Sequence, residues 1–281
     1  MATETTATSA AAWRPDIRYI HADDAVPDAL VLLTSTIAGS VEGDAPAVRV
    51  PYVDDATAAF VAEGGEIAES NPGLAEVIVY TGKVAQLIRL SREQLAQPDA
   101  ETLLSTSVQR AVTKKANEAY IAQAAPTSPA VTPPAGLLNI TGIVNGGAIA
   151  DDLDVLVDAL ATIEGNGGTP SHILAAPDAW ARLNRFKVGT DRNDSLLGAG
   201  TTAAARYLLS LPVLTTPAMP TGNLLVIDQT AIVSAVGDVQ VAFSEDAYFA
   251  HDSVGLRCTW RFGQNVVKPN RIAKLTVTAP A

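Results

Sequence analysis

The sequence predicts an α+β fold, and three features carry that prediction. Asp99 to Gln123 (DAETLLSTSVQRAVTKKANEAYIAQ) contains neither glycine nor proline, and Leu104, Val108, Ala111, Val112 and Ala119 recur at three- and four-residue steps. That spacing lines one face of an α-helix with apolar groups. Before it stand runs rich in β-branched residues, 48–53 and 77–90, which read as strands. Near the C terminus Leu256, Cys258, Trp260 and Phe262 alternate with Arg257, Thr259 and Arg261, the two-residue period of a strand with one buried face.

In chain order, residues 1–12 (MATETTATSAAA) are rich in Ala, Thr and Ser and cannot sustain a core, so they are expected to be disordered in the free subunit. Residues 28–38 (DALVLLTSTIA) predict a short helix before Gly39. Pro51 marks 48–53 as an edge strand, with 77–90 as its returning partner. Between them, residues 63–73 (EGGEIAESNPG) are turn-rich and charged, hence exposed and mobile. A solitary hairpin is marginal in water, so this one is expected to lie on another subunit.

The long helix starts after Pro98, with Asp99 as N-cap and Glu101 in its first turn, where the dipole favours negative charge. It stops at AAPTSPAVTPPAG, whose four prolines cannot continue it. Twenty-five residues make a rod of about 37 Å. Asp151 to Glu164 predicts a second helix with Leu153, Leu156, Val157 and Leu160 on one face and GNGG as its stop. SHILAAP (171–177) predicts a buried strand, and Asp178 caps a third helix reaching Phe186. Residues 187–205 read as a polar loop; 224–236, 240–245 and 256–262 supply the remaining strands.

Composition excludes several functions. Thirty acids against 19 bases leave a net charge of −11, unsuited to gripping phosphate backbones over the whole surface. One cysteine, Cys258, forms no intramolecular disulfide, and with three scattered histidines it builds no zinc site. The start of the chain carries no basic residue before Arg14 and does not read as a secretory signal. The two long uncharged runs, 119–150 and 207–227, are broken by prolines and make no membrane helix. A soluble protein of a reducing compartment is expected.

No nucleophile elbow, Walker-type phosphate loop or His-Glu-x-x-His motif occurs. GNGGTP (165–170) follows a helix rather than a strand, the wrong context for a dinucleotide. Asp191, Asn193 and Ser195 have calcium-loop spacing, but Leu196 holds the glycine position and no terminal Glu follows. His21, His172 and His251 lie far apart; His172, before an apolar strand, reads as a satisfied structural histidine, and Cys258 as a buried inert thiol. Hence no catalytic, cofactor-binding or metal-binding residue is assigned, and no cofactor is expected.

An ordered set of phrases carries a family resemblance. A hydrophobic–Ser–Arg–Glu–x–Leu phrase (Ile88 to Leu95) precedes the long helix, and Gly-Leu-Leu-Asn (Gly136 to Asn139) follows it. His-Ile-Leu-Ala-x-Pro-Asp-x-Trp-x-x-Leu (His172 to Leu183) and a Leu-Pro-Val…Met-Pro passage (Leu211 to Pro220) come next. From about Ala45 onward the chain resembles the major capsid proteins of tailed bacteriophages, with the Hong Kong 97-type fold. The resemblance implies an N-terminal arm (1–45), an extended β-hairpin loop with its base strands (46–90) and a peripheral domain with the spine helix (91–130). It further implies an axial α/β domain (131–245) and closing strands of the peripheral domain (246–281).

It also implies a structural protein, not an enzyme, that self-assembles into an icosahedral shell of pentamers and hexamers around double-stranded DNA. That shell belongs to the virion and assembles in the bacterial cytoplasm, with portal and with scaffolding or decoration proteins as partners. No match to the family's large N-terminal scaffolding segment is seen, so scaffolding is expected to be separate or dispensable. The alternative within the fold is an encapsulin-like nanocompartment shell, whose N-terminal helix finds no match; an enzyme is the alternative from another class. Some relatives join an extended-loop Lys to a neighbour's Asn. Asn265 and Asn270 could serve, yet the tip, Phe60 to Leu74, has no lysine, so shells without cross-links are expected.

The charges suggest how neighbours meet. Residues 41–80 hold eight acids and one base, a net of −7, whereas 253–281 hold five bases and no acid. The expectation is that Glu63, Glu66 and Glu69 of one subunit dock on Arg257, Arg261, Lys268 and Arg271 of the next.

Overall fold

The computed structural model describes residues 17–41, 47–54, 60–61, 63–64, 69, 73–95, 100–189, 193–198 and 206–278. In order, β1 (Ile17–Ile20), α1 (Ala22–Ala25), α2 (Leu30–Thr34), β2 (Thr36–Ser40) and β3 (Ala47–Asp54) are followed by β4 (Gly73–Tyr80), β5 (Gly82–Ser91) and α3 (Arg92–Leu95). Then come α4 (Ala100–Ala122), β6 (Val144–Ile149), α5 (Asp154–Gly165), β7 (His172–Ala175), α6 (Pro177–Leu183), β8 (Tyr207–Leu208), β9 (Leu211–Thr215) and β10 (Asn223–Ile227). β11 (Ile232–Val236), β12 (Val239–Tyr248), β13 (Ser253–Val266) and β14 (Ile272–Val277) close the chain.

Two six-stranded sheets and a separate hairpin result. The first sheet runs β1-β12-β13-β11-β2, with β5 on the free side of β13; the second runs β6-β14-β10-β7-β9-β8; β3 and β4 pair only with each other. One contiguous apolar core extends through both sheets. The period-two pattern of β13 holds at its centre: Cys258, Trp260 and Phe262 are buried, and Trp260 stacks on Phe262 at 4.7 Å while donating its indole N–H to the Gly237 carbonyl.

The long helix α4 spans the region between the sheets' sequences as expected, and Asp99 lies outside the described residues. Its buried stripe is Val108, Val112, Ala116 and Tyr120, an unbroken i, i+4 series, whereas Ala111 and Ala119 sit at the margin. Ala116 and Tyr120 extend the stripe because α2, the short helix before β2 of the first sheet, packs on α4 there. The Leu30 amide donates to Asn117 Oδ1 at 2.8 Å, and the Tyr120 hydroxyl meets Thr34 Oγ1 at 3.0 Å in the core. That burial pushes the Tyr120 hydroxyl pKa up.

Several expectations are revised. The returning run 77–90 is two strands, not one: it breaks at the buried Thr81, β4 stays in the hairpin, and β5 pairs with β13 from Gly82 to Ser91. The break is possible because residue 263 is glycine; a Cβ there would stand 2.1 Å from the Tyr80 carbonyl. Residues 17–41 pair and pack within the chain: β1 pairs with β12, β2 runs parallel to β11, and Val26, Leu30 and Val31 enter the core.

β11 and β12 belong to the first sheet, and the tail divides, with β13 in the first sheet and β14 between β6 and β10 in the second. Strand pairing, which is non-local, decides that membership. The helix expected from Asp151 begins at Asp154 and buries Leu156, Ala159 and Ile163, leaving Val157 47% exposed. α6 starts on Pro177, with Ala176 at the N-cap, so Asp178 acts from inside the first turn. It accepts the Gly222 amide at 2.9 Å and pairs with Arg182 at 3.3 Å.

Candidate functional site

The features that could join one subunit to another are the hairpin and the outer face of the first sheet. In the hairpin, Val48, Val50 and Tyr52 stand opposite Val79, Val77 and Ala75 on one face. The valines of that face pack on Val41, Val233 and Ala235, which anchors the hairpin base to β11 and β2. The other face pairs Arg49 with Ile78, Pro51 with Glu76 and Val53 with Leu74. Arg49 and Glu76 form an exposed ion pair at 3.3 Å. Away from the base the cover runs out: Val53 is exposed, Leu74 is 85% exposed, and Phe60 and Val61 beyond the strands are exposed as well. Apolar groups clustered at the end of a projecting hairpin mark an interaction surface.

The second surface lies on β5 and β13. Arg261 stands directly opposite Lys83, Arg257 opposite Leu87, and Gly255 opposite Arg89, so four cations share one face. Lys83, Arg89, Arg257 and Leu87 are exposed; Arg261 is half-buried and donates to Thr81 Oγ1 at 3.1 Å. The Arg89 guanidinium lies 5.1 Å from the Tyr248 ring centroid, a cation–π placement. Tyr19 of β1 extends the face with an exposed ring. Lys83 and Arg89 were not among the expected contact residues. They lie some 170 residues upstream of Arg257, and only the β5–β13 register brings them together.

The remaining expected residues fare differently. Arg271 faces inward: its guanidinium stands 3.8 Å from the buried Asp228 carboxylate and donates through Nε to the Asn166 carbonyl. That ion pair and hydrogen bond give Arg271 partners within its own subunit. Lys268 lies in the turn before β14, half-buried and away from the β5–β13 face. Glu63 and Glu69 are exposed, and Glu66 lies outside the described residues. Among the described residues no ion pair joins Glu63 or Glu69 to the basic face.

No catalytic constellation forms among the described residues, and none of their His, Cys, Asp and Glu groups cluster as a metal site. Cys258 is buried, which raises its thiol pKa. His172 is half-buried against Ser171 Oγ at 3.1 Å, and burial lowers its pKa. Asn265 donates to the Ile78 carbonyl at 2.9 Å, tying β13 to the hairpin. Among the described residues no helix is long and apolar enough to cross a membrane.

A long helix against one sheet, a second sheet and a hairpin that ends in exposed apolar groups define an α+β subunit with an extended loop. The model of the phage capsid family matches residues 35–277, and the chain belongs to that family. The fold agrees with solved structures. A chain of the capsid of a native GTA particle is 19% identical, with a TM-score of 0.68 over 95% of this chain and 94% of that one. A chain of Gordonia phage Cozz is 16% identical, with a TM-score of 0.68 over 95% and 89%. A chain of Mycobacterium phage Bobi is 18% identical, with a TM-score of 0.63 over 99% and 100%. A comparison with curated proteins finds no match. The protein is therefore a capsid subunit of the virion, a structural protein and not an enzyme, and its partner is first of all itself, in a multi-subunit shell.

Proposed function

We propose that the subunit forms pentamers and hexamers that close an icosahedral shell around double-stranded DNA, assembled in the bacterial cytoplasm with a portal and with scaffolding or decoration proteins. In this reading the first sheet with α4 is the peripheral unit and the second sheet the axial one. The observation that carries it is the hairpin: a two-stranded ribbon anchored only at its base, acidic, with Leu74 and Phe60 bare at its far end. Such a ribbon gains stability by lying on a second copy. The basic β5–β13 face is the complementary surface, and Glu63, Glu66 and Glu69 of one subunit dock on Lys83, Arg89, Arg257 and Arg261 of the next.

Exposed single pairs contribute about 0–1 kcal/mol each, so the effect is collective and sets register more than affinity. Lys83→Glu with Arg257→Glu tests it, because both side chains are exposed and their reversal leaves the core intact. The expected result is a folded subunit that does not assemble at low salt, partly rescued by Glu66→Lys with Glu69→Lys. Normal assembly of the double reversal contradicts the docking.

A further inference from the structure

On the side of α4 away from Val108 and Val112, an open cleft of about 460 Å³ lies between the helix, the α1–α2 turn and the turn that follows β9. Arg110, Thr113, Lys114 and Asn117 form its helical wall, and Asp28 and Pro217 belong to the two turns. Helical spacing puts Arg110 and Lys114 one turn apart, with Cβ atoms about 5–6 Å from each other. α4 itself covers the face of the first sheet that carries Cys258 and Trp260. The cleft therefore opens on the other side of that sheet from Lys83 and Arg257, which alternate onto its opposite face.

The charge of the cleft runs against that of the chain. Acids outnumber bases 30 to 19 overall, yet the lining holds two bases and one acid, Asp28. Among the described residues neither Arg110 nor Lys114 forms an ion pair, whereas the adjacent Lys115 is taken by Glu118 at 3.6 Å. Asn117 accepts the Leu30 amide through Oδ1 at 2.8 Å, which leaves its Nδ2 as a donor. A guanidinium, an ammonium, a side-chain amide and the Thr113 hydroxyl make a donor set suited to phosphate oxygens. Among the described residues no aromatic ring lines the cleft, so it offers unstacked bases no platform. A duplex, which presents phosphates and hides its bases, fits it better than a single strand.

We propose that this cleft holds backbone phosphates of duplex DNA, with Arg110 and Lys114 as the charged contacts, and that the α4 side of the subunit faces the interior of the shell. The inference rests on the reading that the shell encloses double-stranded DNA. In that reading a neighbour's acidic hairpin covers the β5–β13 face, which leaves this cleft open to a different polyanion. Contacts to phosphate carry no sequence preference, and the net charge of −11 keeps each one weak.

Lysine acetylation of the unassembled full-length subunit, with and without a short mixed-sequence duplex, tests the contact residue by residue. DNA is expected to slow modification of Lys114 severalfold at low salt. The protection is expected to vanish at ~1 M salt and in Arg110→Ala, while the exposed Lys187 reacts at one rate throughout. A second measurement weakens the competing basic face with Lys83→Glu and Arg257→Glu and follows duplex anisotropy against salt. In that background Arg110→Ala and Lys114→Ala are each expected to reduce the log–log salt slope by about one, whatever the sequence, and Asp28→Asn to tighten binding. Arg110, Lys114 and Asp28 are exposed, so these changes leave the core intact. Because the subunit is unassembled, both results are read whether or not shells close, a question that micrographs decide separately. Lys114 that stays fully reactive beside DNA, or an unchanged slope in both alanine variants, overturns the proposal. So does loss of DNA-free assembly in Arg110→Glu with Lys114→Glu, which would assign the cleft to a second copy.

Discussion

Arg271→Ala is expected to lower the melting temperature of the unassembled subunit, because the residue closes an internal network rather than an interface. Asp228 is 1% exposed and the Arg271 side chain 19%. Breaking a buried pair from one side costs up to about 3–5 kcal/mol, but two features place this one lower. The ions stand 3.8 Å apart, and the carboxylate keeps the amide of Thr169 and both the amide and hydroxyl of Thr230 as donors. About 1–2 kcal/mol remains, including the lost contact of the side-chain stem with Gly168. For a chain of 281 residues, an unfolding entropy of about 2.1 cal/mol/K per residue turns this into a shift of about 2–3 °C. Scanning calorimetry of the subunit reads it, with the exposed Arg257→Ala as a control that leaves the transition in place. An unchanged transition in Arg271→Ala together with lost assembly refutes the reasoning and returns Arg271 to the interface.

Three further outcomes follow from the same structure. Boiled particles are expected to run as one band near 29.1 kDa on a denaturing gel, since residues 60–74 offer no lysine; a ladder of pentamer- and hexamer-sized species contradicts this. Capsomer association is expected to weaken at ~1 M salt, where the Debye length falls to ~3 Å, and light scattering that is insensitive to salt argues for a purely apolar interface. Burial raises the Tyr120 pKa, so the folded state holds its proton where the unfolded chain releases it. Stability is therefore expected to fall as pH rises above about 10. Tyr120→Phe should flatten that slope in denaturant titrations while costing about 1 kcal/mol near neutrality through the lost Tyr120–Thr34 hydrogen bond, the Thr34 hydroxyl keeping the Leu30 carbonyl as its acceptor.

The parts of the fold legible in the sequence are those with local causes. α4 shows because a long stretch without glycine or proline has helical periodicity, and β13 shows because one strand repeats its pattern over seven residues. The β7–α6 corner shows because Pro177 both ends a strand and starts a helix. What escaped depends on pairing between distant segments. The run 77–90 is uniformly β-branched, and nothing local announces that Thr81 turns inward where Gly263 lets the backbones approach. β1 and β2 are short and become strands by adding to β12 and β11. Charge counts correctly found a basic tail but not its distribution: alternation along β13 sends Arg257 outward, Asp228 draws Arg271 inward, and β5 brings Lys83 and Arg89 alongside.

The central claim is that this chain builds a shell, and negative-stain microscopy of the purified, self-assembled protein tests it most directly. The account predicts uniform hollow particles with icosahedral outlines. A small soluble oligomer, with no closed particles across protein concentration and salt, would contradict it.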